Sequence, residues 1–216
     1  LDAGVPAFID LDGTHTSYDR FSARVRGLAT GIADLEPRAG GAFGILALNS
    51  RAYVELLFAA AWGGRVAVPL NVRWSASELA YAIDDAGIEV LFVDEAMQST
   101  VERIREKTHR LRHVVAIGHP AVGDPAGSLE ALAASRPAAA SPAAADTPVA
   151  VIYTGGTTGA SRGAVHTQAS LFASGLNCVC MGGIPRESRC LLVLPLFHSG
   201  AIGLAIAQLL QRGTIV

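Results

Sequence analysis

Ten consecutive residues carry the densest chemistry in this chain: Thr154-Gly155-Gly156-Thr157-Thr158-Gly159-Ala160-Ser161-Arg162-Gly163. They hold four glycines, three threonines, a serine and an arginine. Glycines let backbone amides turn inward and approach a ligand closely. Hydroxyls add donors that rotate to fit, and a guanidinium pairs bidentately with phosphate oxygens. The residues just before them, Val149 to Tyr153, are apolar or aromatic and read as a buried strand. A donor-rich loop at the carboxyl end of such a strand is where α/β sheets bind ligands, and the composition points to phosphate. A bare surface turn needs only one or two glycines. The loop lacks the lysine of GxxxxGK[ST] and the spacing of GxGxxG, so it is neither of those two phosphate loops.

The remaining polar candidates are fewer. His198 stands in Leu194-Pro195-Leu196-Phe197-His198-Ser199-Gly200; alone, it reads more readily as a buried histidine bonded to a carbonyl, and the flanking Pro195 and Gly200 reverse that weighting. Asn71 and Trp74 are explained as well by loop capping and packing as by lining a substrate channel. Phe197 and Trp62 read as core. His109 and His113 are four apart but flanked by Arg110 and Arg112 with no carboxylate near, so no metal site is assigned. Cys178, Cys180 and Cys190 are odd in number and lack CxxC spacing, which predicts small buried thiols, not a disulfide framework.

These residues need a frame, and the hydrophobic pattern supplies one. Ala7–Asp10 and Thr16–Tyr18 flank Asp12-Gly13, a hairpin turn pair. Phe21, Val25, Leu28, Ala29, Ile32 and Leu35 recur at steps of three and four, a helix ended by Pro37 and Gly40-Gly41. Apolar runs at 43–48, 65–70, 88–93 and 113–117 predict strands. Between them lie helices at 52–62, capped by Ser50 and stopped by Gly63-Gly64, at 76–86, opened by the Ser75–Glu78 capping box, and near 97–110. Strands apolar at every position, alternating with helices, predict an α/β fold of layered, mostly parallel sheets flanked by helices. Residues 1–119 read as a first α/β subdomain, 120–148 as an Ala/Pro-rich crossover with one short helix near 129–134, and 149–216 as the start of a second. Residues 190–211 are uncharged, but Pro195, His198, Ser199 and Gly200 divide them into a buried strand, a loop and a buried helix, so no membrane span is expected.

Composition sets outer bounds. The 216 residues carry 17 Lys and Arg against 19 Asp and Glu, are half apolar, and have a mean hydropathy of +0.37 and a pI near 6.3. Disorder and a nucleic-acid-binding charge footprint are both disfavoured. Sixteen of the basic residues are arginine; the one lysine, Lys107, falls in a charged helix and reads as a solvated face. Leu1 at the start and a strand entry at 213–216 are what a piece of a longer polypeptide would show.

Tyr153 to Gly163, YTGGTTGASRG, resembles the YTSGTTGxPKG signature of the adenylate-forming superfamily, which includes acyl-CoA synthetases, aryl-CoA ligases, luciferases and peptide-synthetase adenylation domains. Ile45 to Asn71, Ser75 to Asp94, and the PxFHxxG-like 194–200 segment are similar to other family stretches and lie in the same order. The resemblance covers nearly the whole chain. It implies activation of a carboxylic acid, fatty or aryl by the character of PLFH, with ATP and Mg2+, then acyl transfer to coenzyme A, in a cytoplasmic ligase.

By the same resemblance Thr154, Gly155, Gly156, Thr157, Thr158 and Gly159 would cradle the β- and γ-phosphates. Arg162 would orient the leaving pyrophosphate and His198 would lie beside the acyl pocket. Gly155, Ser161, Arg162 and Gln168 replace the family's serine, proline, lysine and histidine. The family's adenine pocket, YGxTE segment, ribose aspartate, hinge and last-domain lysine have no counterpart in these 216 residues, so no turnover is expected of them alone. The alternative is a non-catalytic remnant that binds a nucleotide or a partner. An NAD-type oxidoreductase is disfavoured by the absent GxGxxG.

Overall fold

The computed structural model describes residues 4–118, 127–137, 139, 144–154 and 161–216. The chain opens with β1 (Pro6–Ile9) and β2 (His15–Ser17), joined around Asp12 and Gly13. The connection takes five residues instead of two: the Asp12 carboxylate accepts the Thr14 amide at 2.8 Å, and Gly13 has φ +84°. Helix α1 (Tyr18–Leu35) starts where Ser17 Oγ accepts the Arg20 amide, and it buries Phe21, Val25, Leu28 and Ile32 on one face.

A regular alternation follows, through β3 (Ala42–Leu46), α2 (Arg51–Gly63), β4 (Val66–Pro69), α3 (Ala76–Asp85) and β5 (Val90–Asp94). A 3₁₀ turn, α4 (Gln98–Arg105) and β6 (His113–Ile117) come next. Ser50 caps α2, and Gly64 ends it in the left-handed region at φ +63°, where a side chain is disfavoured. The Ser75–Glu78 capping box opens α3. Helix α4 stops at Arg105, short of the Arg110 its charged pattern predicts.

After α5 (Leu129–Ala133) come β7 (Pro148–Thr154), β8 (Arg162–Thr167), α6 (Gln168–Gly182), β9 (Arg189–Cys190), α7 (Ser199–Leu210) and β10 (Thr214–Ile215). The larger sheet runs β6-β5-β3-β4-β7-β8, and the smaller β2-β1-β10-β9. All pairs from β6 to β7 are parallel; β8 is antiparallel to β7. The carboxyl ends of β3, β4 and β7 therefore share one edge of the sheet.

Sequence patterning assigns no element to residues 164–188, where β8 and α6 form. Their apolar residues face outward as often as inward: Val165, Phe172, Leu176 and Met181 are exposed, so neither period of two nor of 3.6 stands out. The buried strand expected after Cys190 is corrected as well. Regular pairing stops at Cys190, and Leu191, Val193 and Leu194 are 63, 72 and 50% exposed while Leu192 and Leu196 turn in. Among the described residues strand β9 pairs with β10 at the edge of its sheet. The thiols also differ from expectation: Cys180 is exposed, and Cys178 and Cys190 are half-buried.

Polar contacts lock the helices together. Glu55 of α2 is fully buried and receives Arg24 of α1 at 2.8 Å and Arg51 from its own helix. Arg24 also forks onto both carboxylate oxygens of Glu130 in α5 at 2.7 Å. A buried carboxylate is tolerable only with such paired, hydrogen-bonded cations.

Candidate functional site

Strand β7 delivers the loop. Tyr153 and Thr154 are its last residues, and alternation along the strand sends their side chains opposite ways. Tyr153 turns into the core, where its hydroxyl donates to Asp85 Oδ2 at the end of α3 at 2.6 Å, and Trp74 meets its ring edge-on at 6.1 Å between centroids. Burial, then the Asp85 bond, pushes the Tyr153 phenol well above its ordinary pKa, so it stays a neutral donor. Thr154 is exposed and lies across from Arg162, the first residue of β8; its hydroxyl is 3.4 Å from the Arg162 carbonyl oxygen. The loop thus leaves and re-enters the sheet at one rung, with both named residues exposed at its base. Gly155, Gly156, Thr157, Thr158 and Gly159 lie outside the described residues.

His198 arrives from the other side. It occupies the N-cap position of α7, its amide bonds to the Pro195 carbonyl at 3.0 Å, and its ring packs on Phe197 at 4.5 Å. It is exposed, so the reading of a buried histidine bonded to a carbonyl does not hold. Phe197 is buried, as expected of core.

Between these elements lies a cleft of about 340 Å³, lined by Pro69 at the end of β4, by Asn71 and Trp74 after it, by Tyr153 and Thr154, and by Phe197 and His198. Three segments separated by some eighty and forty residues of sequence meet there, at the carboxyl edge of a parallel sheet, where such folds bind ligands. Asn71 caps its own loop and also borders the cleft. Its Oδ1 accepts the Arg73 amide at 2.9 Å, and it lines the cleft beside Trp74. The cleft mixes the apolar and aromatic surfaces of Pro69, Trp74, Ile152, Tyr153 and Phe197 with the polar groups of Asn71, Thr154, His198 and Ser199.

Two contributors carried no signal in the sequence. Asp85, which anchors Tyr153, is 68 residues away from it, and Asn49, whose carboxamide bonds the backbone ahead of His198, is nearly 150 away. Lys107 is exposed after α4. Among the described residues no group of three His, Cys, Asp or Glu could hold a metal ion, and no helix is long and apolar enough to cross a membrane.

A family model described as "AMP-binding enzyme" matches residues 2–216. Feruloyl-CoA synthase of Amycolatopsis sp is 33% identical over 205 residues, which are 94% of this chain and 39% of that protein. Long-chain-fatty-acid--CoA ligase FadD13 of Mycobacterium tuberculosis (strain ATCC 25618 / H37Rv) is 29% identical, over 90% of this chain and 39% of its own length. The ATP-bound crystal structure of MatB from Rhodopseudomonas palustris superposes on the whole chain with a TM-score of 0.83 at 25% identity, covering 42% of that protein. The chain thus spans about two-fifths of the length of the relatives it matches.

Proposed function

This chain belongs to the AMP-binding enzyme family, and from that premise we propose that its cleft serves the ATP-dependent activation of a carboxylic acid. A carboxylate oxygen attacks the α-phosphorus of ATP and pyrophosphate leaves, giving an acyl-adenylate. The thiolate of coenzyme A then attacks the acyl carbon and AMP leaves. The observation that carries this reading is the convergence of Thr154, the Pro69–Trp74 loop and His198 on one cleft.

The division of labour follows from the chemistry of the side chains. Thr154 and the residues through Gly159 present hydroxyls and amides to the β- and γ-phosphates. Arg162, at the base of the same loop, offers a planar fork to the leaving pyrophosphate, where a lysine would offer a point charge. His198 faces the acid and orients its carboxylate. Adenylyl transfer needs fixed donors where charge develops more than it needs covalent help, and these residues are of that kind. Magnesium accompanies ATP in this chemistry; the described residues provide no ligand set for it, so no step on this chain is assigned to the metal. The apolar and aromatic part of the lining, Trp74, Ile152, Tyr153 and Phe197, favours a fatty or aryl acid. Feruloyl-CoA synthase and a long-chain-fatty-acid--CoA ligase among the relatives support both classes. A cytoplasmic setting is part of the same proposal.

The test is thioester formation by the protein expressed from its complete reading frame, with ATP, coenzyme A, and ferulate or a long-chain fatty acid. Acid-dependent release of AMP and pyrophosphate with acyl-CoA is the expected result. Nucleotide binding without any acid-dependent turnover would overturn it in favour of a non-catalytic binding protein. The 216 residues alone are expected to give no thioester, since phosphate contacts hold ATP without orienting its α-phosphate.

A further inference from the structure

We propose that Asn49 is a positioning residue for this site: its carboxamide fixes the backbone that presents His198 to the cleft. The inference rests on the carboxylate-activation reading above. Asn49 Nδ2 donates to the carbonyls of Leu192 at 3.0 Å and Leu194 at 2.8 Å. Its Oδ1 accepts the Leu196 amide at 2.9 Å. One side chain therefore reads three alternate backbone groups of a segment nearly 150 residues away. The geometry admits one orientation of the amide, because the flipped group would set its oxygen against two carbonyls.

Residues 191–198 form neither helix nor strand, and among the described residues Leu191, Val193 and Leu194 are largely exposed while Leu192, Leu196 and Phe197 are buried. Asn49, by contrast, stands on rigid ground. It follows the buried strand β3 by three residues and precedes Ser50, which caps α2 by accepting the Tyr53 amide. From the clamped Leu196 amide to His198 is two residues, at most about 7 Å of chain. A slip at the clamp is therefore passed to the imidazole with little room for absorption. Supporting groups of this kind decide whether a site is held to the tolerance that reaction geometry demands.

The experiment uses Asn49→Ala in the protein expressed from its complete reading frame, varying acid and ATP separately in the thioester assay. A misplaced His198 should lower kcat/KM for the acid on the order of tenfold to a hundredfold, with KM for ATP kept within about twofold. In a His198→Ala background the same change should add less than about twofold, because the clamp acts through that residue. Asn49→Asp should be as impaired as Asn49→Ala, since a carboxylate has no hydrogens for the two carbonyls. Ser50→Ala serves as the comparator. It removes a helix cap next door, lowers Tm, and should leave kcat/KM for the acid unchanged.

Equal losses for acid and ATP, full additivity with His198→Ala, or a profile matching Ser50→Ala would each reduce Asn49 to a structural residue and overturn the proposal. A second measurement does not depend on turnover. Asn49→Ala should accelerate thermolysin cleavage within residues 191–197 by at least about fivefold below the global melting range, and an unchanged rate would overturn the clamp. Wild-type protein that activates no acid, alongside accelerated cleavage in the variant, would sink the functional reading while upholding the clamp.

Discussion

Tyr153 and Thr154 are adjacent in β7 and are committed to opposite tasks. The phenol reaches back to α3, and the hydroxyl stays at the base of the loop. Tyr153→Phe keeps the ring and its Trp74 contact but loses the bond to Asp85. Because Asp85 is exposed and rehydrates, the cost should be about 1 kcal/mol in urea denaturation and not the larger value of a stranded buried charge. Arg162 is exposed and sits across from Thr154, so it can change without disturbing the core. Arg162→Ala should weaken ATP binding by about tenfold in calorimetric titration with little change in Tm, and Arg162→Lys should restore part of it, since the charge returns without the fork. The types of these residues were readable in order along the chain. Their anchors were not: nothing local in the sequence ties Asp85 to Tyr153 or Asn49 to Leu194, because those bonds form only once the strands are in register.

The regular elements were legible where one face is buried and one wet. Helix α1 shows its apolar face at steps of three and four, and the caps at Ser50 and Ser75 that open α2 and α3 were readable; the Ser17 cap of α1 came from the structure alone. Helix α6 and strand β8 fail that criterion for the reason their exposed apolar residues give. Packing between elements was also hidden. Gly27 of α1 is buried against α5, and a Cβ placed there would lie 2.1 Å from the Ala133 carbonyl oxygen. Helix propensity alone says that Gly27→Ala gains about 1 kcal/mol. The clash with backbone says otherwise, and the variant should lose about 1–3 kcal/mol by denaturant unfolding as α5 is pushed off α1.

Across the whole molecule, α5 is held to the first helices by the burial of Leu129, with Leu132 and Ala133 packed beside it, and by an ion pair. The Arg24 fork holds the Glu130 carboxyl below the usual carboxylate range, and hydrogen bonds from Arg38 do the same for Glu36. A carboxyl whose folded pKa is depressed binds its proton more readily when unfolded. Its contribution is therefore present above the ordinary value of about 4.3 and is lost as pH falls through the folded value. Tm should fall steeply below about pH 4, and Glu130→Gln, which cannot titrate, should start from a lower Tm and flatten that fall. Thermal scans between about pH 7 and pH 2.5 measure it.

The larger architecture follows the same division. Apolar runs and caps specify that strands and helices alternate, and hence a parallel sheet, because burial period and capping are properties of neighbours in sequence. That β10 pairs with β1, that Tyr18 donates to the Gly213 carbonyl at 2.6 Å, and that β7 joins the sheet through β4 depend on partners far along the chain. The sequence by itself determined the family, the α/β alternation and the residues able to meet a phosphate or a carboxylate. Only the tertiary structure decided that Thr154, Trp74 and His198 share one cleft, and which distant side chains hold them there. Hydrogen-bond partners and clefts are set by three-dimensional register, to which local periodicity contributes no information.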